Sequence, residues 1–437
     1  MRRRMLQSIT VVLALGASLS GGAAAQGVAN PNGAVTFVTT ADPTFNPWSP
    51  TAFVESNLIN ELIFPGLTRW DKNLKPAPDL ATSWKVAGDG LKWTFQLRKG
   101  VKWSDGQDFG ADDVAFTFND IVLKKELGAN GGSTWRNAVT RVNVVNPATV
   151  EFVLSRPWAS LPTYLGYYAG ILPKHKFQGV TDPWKFTEFN KQNPVGTGPF
   201  KMSQVVSGAS VKLVRNDSYW GGKPKLQSVT FKIIPDSNAQ LAQLLSGDLD
   251  LMSVGNPETV DRIKSNPNLT VDLSTSNIYY FVALNQDDPR MQDVRVRQAL
   301  LYAIDRNAMI KSVLKGYGQV ATGPIAPIQK EYYNASVQQY PYDPQKARAL
   351  LAQAGWKPGA DGTLQKDGKP FVISMPTASY QQLVPITLLV QQYWKDIGVV
   401  ADVKTTDWNS YIQQVIVKRQ YQASAAWWST PADPDVL

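Results

Sequence analysis

A single histidine, His175, and no cysteine in 437 residues set narrow limits on the chemistry open to this chain. Without cysteine there is no thiol nucleophile, thiolate metal ligand, disulfide or lipid-bearing N-terminal cysteine. A Ser-His-Asp triad would have to use His175 as its base. That residue sits in Leu172-Pro173-Lys174-His175-Lys176, a polar loop, and reads as a surface histidine. One histidine also excludes a histidine-rich metal site. No GxSxG elbow, HExxH pair or GxxxxGK[ST] phosphate loop occurs. Pro194-Val195-Gly196-Thr197-Gly198-Pro199-Phe200 is rich in Gly and Pro but reads as a turn entering a strand. The acids Asp112-Asp113 fall in a helix's first turn, where free N–H groups favour negative charge. Asp287-Asp288 reads as a turn pair. The inventory predicts no enzyme, no cofactor and no metal.

Binding chemistry remains. The chain has 14 Trp, 16 Tyr and 16 Phe; most must be core, since aromatics dominate burial, but a surplus also suits a ligand cleft. Trp408 follows a strand and opens a helix. Trp427 and Trp428 end the strand YQASAAWW. Neighbours on a strand face opposite sides, so one of the two at most meets a ligand. Tyr279 or Tyr280, in IYYFVAL, is a further candidate, with a buried strand aromatic as the alternative. Asn46, Asn285 and Thr430 could supply hydrogen bonds.

The elements that position these residues are legible around residues 93–121. Trp93, Phe95 and Leu97 alternate with polar residues, giving a strand with one large apolar face. Gly100 breaks it, Val101 and Trp103 resume it, and Asp105-Gly106 turns the chain. A helix then starts near Gly110, with Val114, Thr117/Phe118 and Ile121 as its buried stripe. Further on, a short helix is predicted over 58–67, hairpins over 84–97 and 141–154, and a strand over 228–234. A helix capped at Pro235-Asp236-Ser237 follows, then a strand over 248–252, in the manner of a βαβ unit. Later elements are the strand 278–284, helices opening at Asp293 and Asp343-Pro344, a hairpin turn at Lys366-Asp367-Gly368-Lys369, a long helix over 383–396 and a strand over 399–404.

The N-terminus has the layout of a secretory signal: Arg2, Arg3 and Arg4, an apolar run over 9–19, and Ala23-Ala24-Ala25 before a cleavage point at Gln26. The arginines leave both the general and the twin-arginine export routes open. Net charge is 44 − 35 = +9, or 41 − 35 = +6 without the signal arginines. Those charges are scattered singly, which speaks against nucleic acid.

The run LRKGVKWSDG followed by ADDV resembles the signature of the family 5 extracellular solute-binding proteins, the peptide, nickel and oligosaccharide receptors of bacterial ABC importers. GTGPF, YDPQKARALLAQAGW and YWKDIGVVADVKTTDW are also similar to that family, and the likeness runs from about residue 34 onward. It implies an α/β, two-lobe periplasmic-binding-protein fold of type II with an extra domain inserted in the first lobe. The limits it implies are a signal peptide at 1–25, lobe I at 26–57 and 191–277, the insert at 58–190, and lobe II at 278–437. The pattern stops partway through lobe II, so the chain reads as a fragment or truncated product. The family implies a monomer outside the cytoplasm that binds a solute between its lobes, docks on a membrane permease and does no chemistry on its ligand.

The resemblance also ranks the site. In peptide-binding members a Trp at the place of Trp408, and another at the place of Trp427 or Trp428, line the pocket. Alignment through Tyr421 favours Trp428, and for an oligosaccharide ligand Trp408 and Trp428 would be the stacking platforms. The loop holding Asn46 faces the cleft in the family. The Asp that holds a peptide's amine falls here on Thr430 or Pro431, with Asp433 as a substitute placed in a turn-like DPD. The basic residue before the pocket Trp is replaced by Ser424-Ala425-Ala426, and the carboxylate-binding Arg region reads Tyr380-Gln381-Gln382. A site lacking both counter-charges suits a longer, blocked or uncharged ligand, because an unpaired buried charge is costly. The expected function is capture of a peptide or similar oligomer. The alternatives are an oligosaccharide receptor and a periplasmic sensor or chaperone-like binder on the same fold.

Overall fold

A computed structural model describes residues 33–436, apart from 53, 168, 255–256, 274–275, 380–381 and 430–432. The signal sequence expected at 1–25 lies outside the described residues. The chain divides into two compact units. The first holds the described residues of 33–253 and 263–274, the second those of 254–262 and 275–436.

In the first unit, the strands Ala34–Thr39, Ser228–Ile233, Ser210–Arg215 and Phe200–Val206 lie side by side in that order. The first pair is parallel and the others antiparallel. A second, antiparallel sheet runs Ala81–Val86, Lys92–Leu97, Thr149–Leu154, Val139–Asn146. The alternation read at 93–97 is the reason it packs: Trp93, Phe95 and Leu97 are all buried, and Phe95 meets Phe152 edge-on at 5.4 Å. One hydrophobic cluster runs from Phe37 and Phe231 of the first sheet to Phe95, Phe118 and Phe152. The β-rich segment 58–190 therefore shares its core with the first sheet, and the limit expected at residue 58 falls inside the helix Val54–Ile63.

The helix expected from Gly110 is Ala111–Phe116, continued by a wider π turn over Thr117–Val122. Thr117 holds this junction. Its hydroxyl donates to the Asp113 carbonyl at 2.8 Å and accepts the Leu172 N–H at 2.9 Å. The stripe Val114, Phe118, Ile121 is buried as predicted. Asp236 caps Ser237–Ser246 through the Ala239 N–H at 2.8 Å, and Gly247 ends it in the left-handed region.

The strand expected over 248–252 does not form. The Asp250 and Leu251 N–H groups both go to the single Thr36 carbonyl, and the Asp250 carboxylate takes the Thr36 N–H at 2.7 Å. A side chain thus occupies a rung that a ladder needs.

In the second unit, Ile278–Leu284 and Ala423–Ser429 form an antiparallel ribbon. Val372–Ala378 and Val400–Thr406 pair in parallel through the crossover helix Leu383–Asp396. That helix buries Leu383, Ile386, Thr387, Val390 and Trp394, spaced for one face. The Trp394 indole N–H donates to the Leu300 carbonyl at 3.0 Å, in the helix Val294–Tyr302 capped by Asp293. Gln422 ties the ribbon to the parallel pair: its N–H donates to Ser374 O at 3.1 Å, and its side-chain oxygen accepts the Ser374 N–H at 2.7 Å. The Asp367-Gly368 turn has positive φ at both residues, 53° and 72°, as a two-residue hairpin requires. Among the described residues no helix is long and apolar enough to cross a membrane.

Candidate functional site

The ribbon of the second unit gathers most of the aromatics singled out above. Its register sets Tyr279 opposite Trp428 and Tyr280 opposite Trp427, so the pairs alternate between faces. On one face Tyr280 and Trp427 pack against the unit's core. Trp408 joins them, its ring 6.4 Å from Trp427 and 20° from parallel, and it lies equally flat on Tyr411 at 5.8 Å. Tyr411 anchors this stack from below: its hydroxyl is 2.9 Å from the Ser424 hydroxyl and donates to Ala425 O at 3.0 Å. The helix Trp408–Tyr411 begins where Asp407 accepts the Ser410 N–H.

On the other face Trp428 is 50% exposed, the one tryptophan among the exposed large hydrophobics of the described residues. Its cross-strand partner Tyr279 packs on Phe281 at 5.5 Å, and burial pushes the Tyr279 phenol up. The structure therefore pairs Trp408 with Trp427, not with Trp428. The reason is strand alternation, which places adjacent tryptophans on opposite faces and leaves only Trp427 on the side of the Trp408 helix.

The polar candidates divide. Asn46 is fully buried: its amide donates to Asn190 at 3.3 Å and its oxygen accepts the Trp48 N–H at 3.1 Å. Asn285 is buried and clamps the chain at Arg419 O and Tyr421 O, while its oxygen accepts the Asp287 N–H. Both amides are thus committed to the protein's own backbone and side chains. Asp433 accepts the Tyr332 hydroxyl at 3.1 Å and caps Asp435 N at 3.0 Å. Thr430 lies outside the described residues.

His175 is not a free surface residue. It meets Asp105 at 2.8 Å beside Lys176, also on Asp105 at 3.0 Å, and its ring lies edge-on to Trp103. Against the cost of partial burial, hydrogen bonds from His175 and Lys176 hold the Asp105 carboxyl below its usual value. This joins the Asp105-Gly106 turn to the 174–177 loop and is a structural tie. Among the described residues no group of three or more His, Cys, Asp or Glu is placed to hold a metal ion.

Two acids went unremarked in the sequence. Burial pushes the carboxyl of Glu61 up to about 7. Burial pushes Asp79 up to about 8, although the Arg69 and Arg98 guanidinium groups pull it down. The available signal was an acid inside an apolar run, Leu58-Ile59-Asn60-Glu61-Leu62-Ile63.

Residues 75–436 match the family described as bacterial extracellular solute-binding proteins, family 5 middle. The chain is 32% identical to the oligopeptide-binding protein AppA of Bacillus subtilis, over 100% of this chain and 83% of that protein. It is 31% identical to the dipeptide-binding protein of Escherichia coli, over 82% of this chain and 68% of that protein. The solved structure of Bacillus subtilis AppA in complex with a nonapeptide superimposes with a TM-score of 0.75, covering 92% of this chain and 80% of that one at 31% identity.

Proposed function

The chain belongs to the bacterial extracellular solute-binding proteins of family 5, and from that membership we propose that it captures peptides outside the cytoplasm and delivers them, as a monomer, to the permease of an ABC importer. The observation that carries the reading is the likeness to an oligopeptide-binding protein along the whole chain. The relatives named for peptides favour this over an oligosaccharide ligand.

Trp428 and Tyr279 are the ligand-contacting pair in this reading. Trp428 offers an open indole face on a rigid ribbon, and aromatic rings bury large area at little entropic cost. Trp408, Trp427 and Tyr411 act beneath it as the support that fixes the end of the ribbon. Ser424, Ala425 and Ala426 precede the tryptophans, so no side chain there can neutralise a peptide carboxylate. The peptide is therefore held by its backbone and side chains, with its ends outside the recognised span.

Calorimetric titration tests this with a nonapeptide, free and doubly blocked, against a linear glucose pentamer. The peptide is expected to bind, with free and blocked forms within about threefold of each other. Binding of the glucan alone, or of no peptide across a range of lengths, would overturn the reading.

A further inference from the structure

Asp79 stands two residues before the strand Ala81–Val86 and is 8% exposed. Its backbone carbonyl accepts the Arg98 Nε–H at 2.7 Å, but its carboxyl takes no hydrogen bond or ion pair among the described residues. The carboxyl oxygens are not sealed off from solvent either. Asp79 lines a half-open recess of the first unit with Glu61, Phe64, Arg69, Trp70, Leu165 and Tyr219. That recess has room for roughly 5–8 water-sized groups. A carboxyl so far buried and without a partner is costly to a folded protein and calls for one.

Burial keeps Asp79 protonated up to about pH 8, and a protonated carboxyl sets one O–H donor beside one carbonyl acceptor. Charged groups face it from several elements. Arg69 lies on the strand Thr68–Trp70, with its Nε–H donated to Pro78 O at 3.3 Å. The Arg98 guanidinium lies 4.3 Å over the Trp220 ring. Both pull the Asp79 carboxyl down, against its burial. Glu61, from the helix Val54–Ile63, is itself pushed up to about 7 by burial, and the Asp79 charge helps raise the Tyr219 phenol. The guanidinium groups disfavour a cationic ligand beside a neutral Asp79, and Glu61 disfavours an anion once it ionises. An uncharged ligand with one donor and one acceptor is what the recess suits.

We propose that this recess binds a primary carboxamide carried on a small apolar group, the amide oxygen accepting the Asp79 O–H and the N–H on the same side donating to the Asp79 carbonyl oxygen, while the apolar group lies against Phe64, Trp70 and Leu165. Configuration selects this class. A primary amide carries an N–H on the same side as its oxygen, so it can make both bonds to one carboxyl group. A trans secondary amide, the peptide bond included, carries them on opposite sides and can make only one. The aromatic and aliphatic wall supplies the area that a small uncharged ligand needs. The assignment does not depend on peptide capture.

The test is calorimetric titration of the full chain at pH 7 with benzamide, beside N-methylbenzamide, benzoate and benzamidinium. Benzamide should bind once, and the other three about tenfold more weakly or not at all. Its affinity should be level from pH 5 to pH 7 and about tenfold lower at pH 9, where Asp79 has lost the proton that the pairing needs. Asp79→Asn keeps one donor beside one acceptor, so it should bind benzamide within about threefold of the parent and lose the fall toward pH 9. Asp79→Leu should weaken binding about tenfold or more. A captured peptide could present the same group on a glutamine. Displacement of benzamide by N-acetyl-Ala-Gln-Ala-N-methylamide, and not by its all-alanine counterpart, would assign the group to a peptide; displacement by neither would assign it to a free amide. Undiminished binding in Asp79→Leu, equal binding of N-methylbenzamide, a fall toward pH 9 that persists in Asp79→Asn, or no binding of benzamide at millimolar concentration would overturn the proposal.

Discussion

Trp427 and Trp428 are adjacent in sequence and opposite in consequence. Trp427 packs on the second unit's core and on Trp408; Trp428 stands half out of the ribbon. Trp427→Ala should cost about 3 kcal/mol of stability, the usual loss for a large core aromatic, and should be read by thermal or urea unfolding. Trp428→Ala should leave unfolding within about 0.5 kcal/mol of the parent and weaken peptide binding instead. A reversal of the two effects would mean that the ligand approaches the Trp427 face. Glu61 and Asp79 give a second expectation. Their folded values lie above the ordinary 4.5 and 3.8, so the folded chain keeps protons that the unfolded chain has released. Stability should therefore fall as pH rises, from about 4.5 to about 7 for Glu61 and from about 3.8 to about 8 for Asp79. Glu61→Gln should flatten the earlier part of that fall and recover about 1–3 kcal/mol at pH 7.5 in denaturant titrations run across pH.

Among the elements, the GTGPF segment shows how a sequence pattern is right for more than one reason. Its glycines read as turn residues, yet Gly196 and Gly198 are needed for close approach. A Cβ at Gly196 would fall on the Ile63 carbonyl oxygen and one at Gly198 on the Leu62 carbonyl. Gly198 N–H also donates to Ile63 O at 2.9 Å, closing the end of the Val54–Ile63 helix. Gly196→Ala should cost about 3 kcal/mol or more, visible as a large fall in melting temperature, because backbone and not a flexible side chain would have to move. The 93–121 stretch was legible because alternation, turn and helix stripe all agree there. The 248–252 segment was not, because Asp250 spends its carboxylate on a ladder position, and hydrophobic pattern carries no sign of that. The packing of Trp408 on Trp427 was not legible for a related reason: facing depends on cross-strand register, and register is set by the partner strand 278–284, more than a hundred residues away.

For the molecule as a whole, family, fold class and peptide capture all follow from a pattern spread over the full length, and a pattern of that extent is legible in the sequence alone. The expected ligand preference rests on the resemblance alone, which sets Thr430 or Pro431 and Ser424-Ala425-Ala426 where peptide-binding members carry charged residues. The central claim is that this chain carries peptides rather than sugars, without depending on their ends. Native mass spectrometry of the protein, purified without denaturation from its own host, tests it most directly. The account predicts co-purified masses that differ by amino-acid residue increments and span several lengths. A ladder of hexose increments on the protein would contradict it.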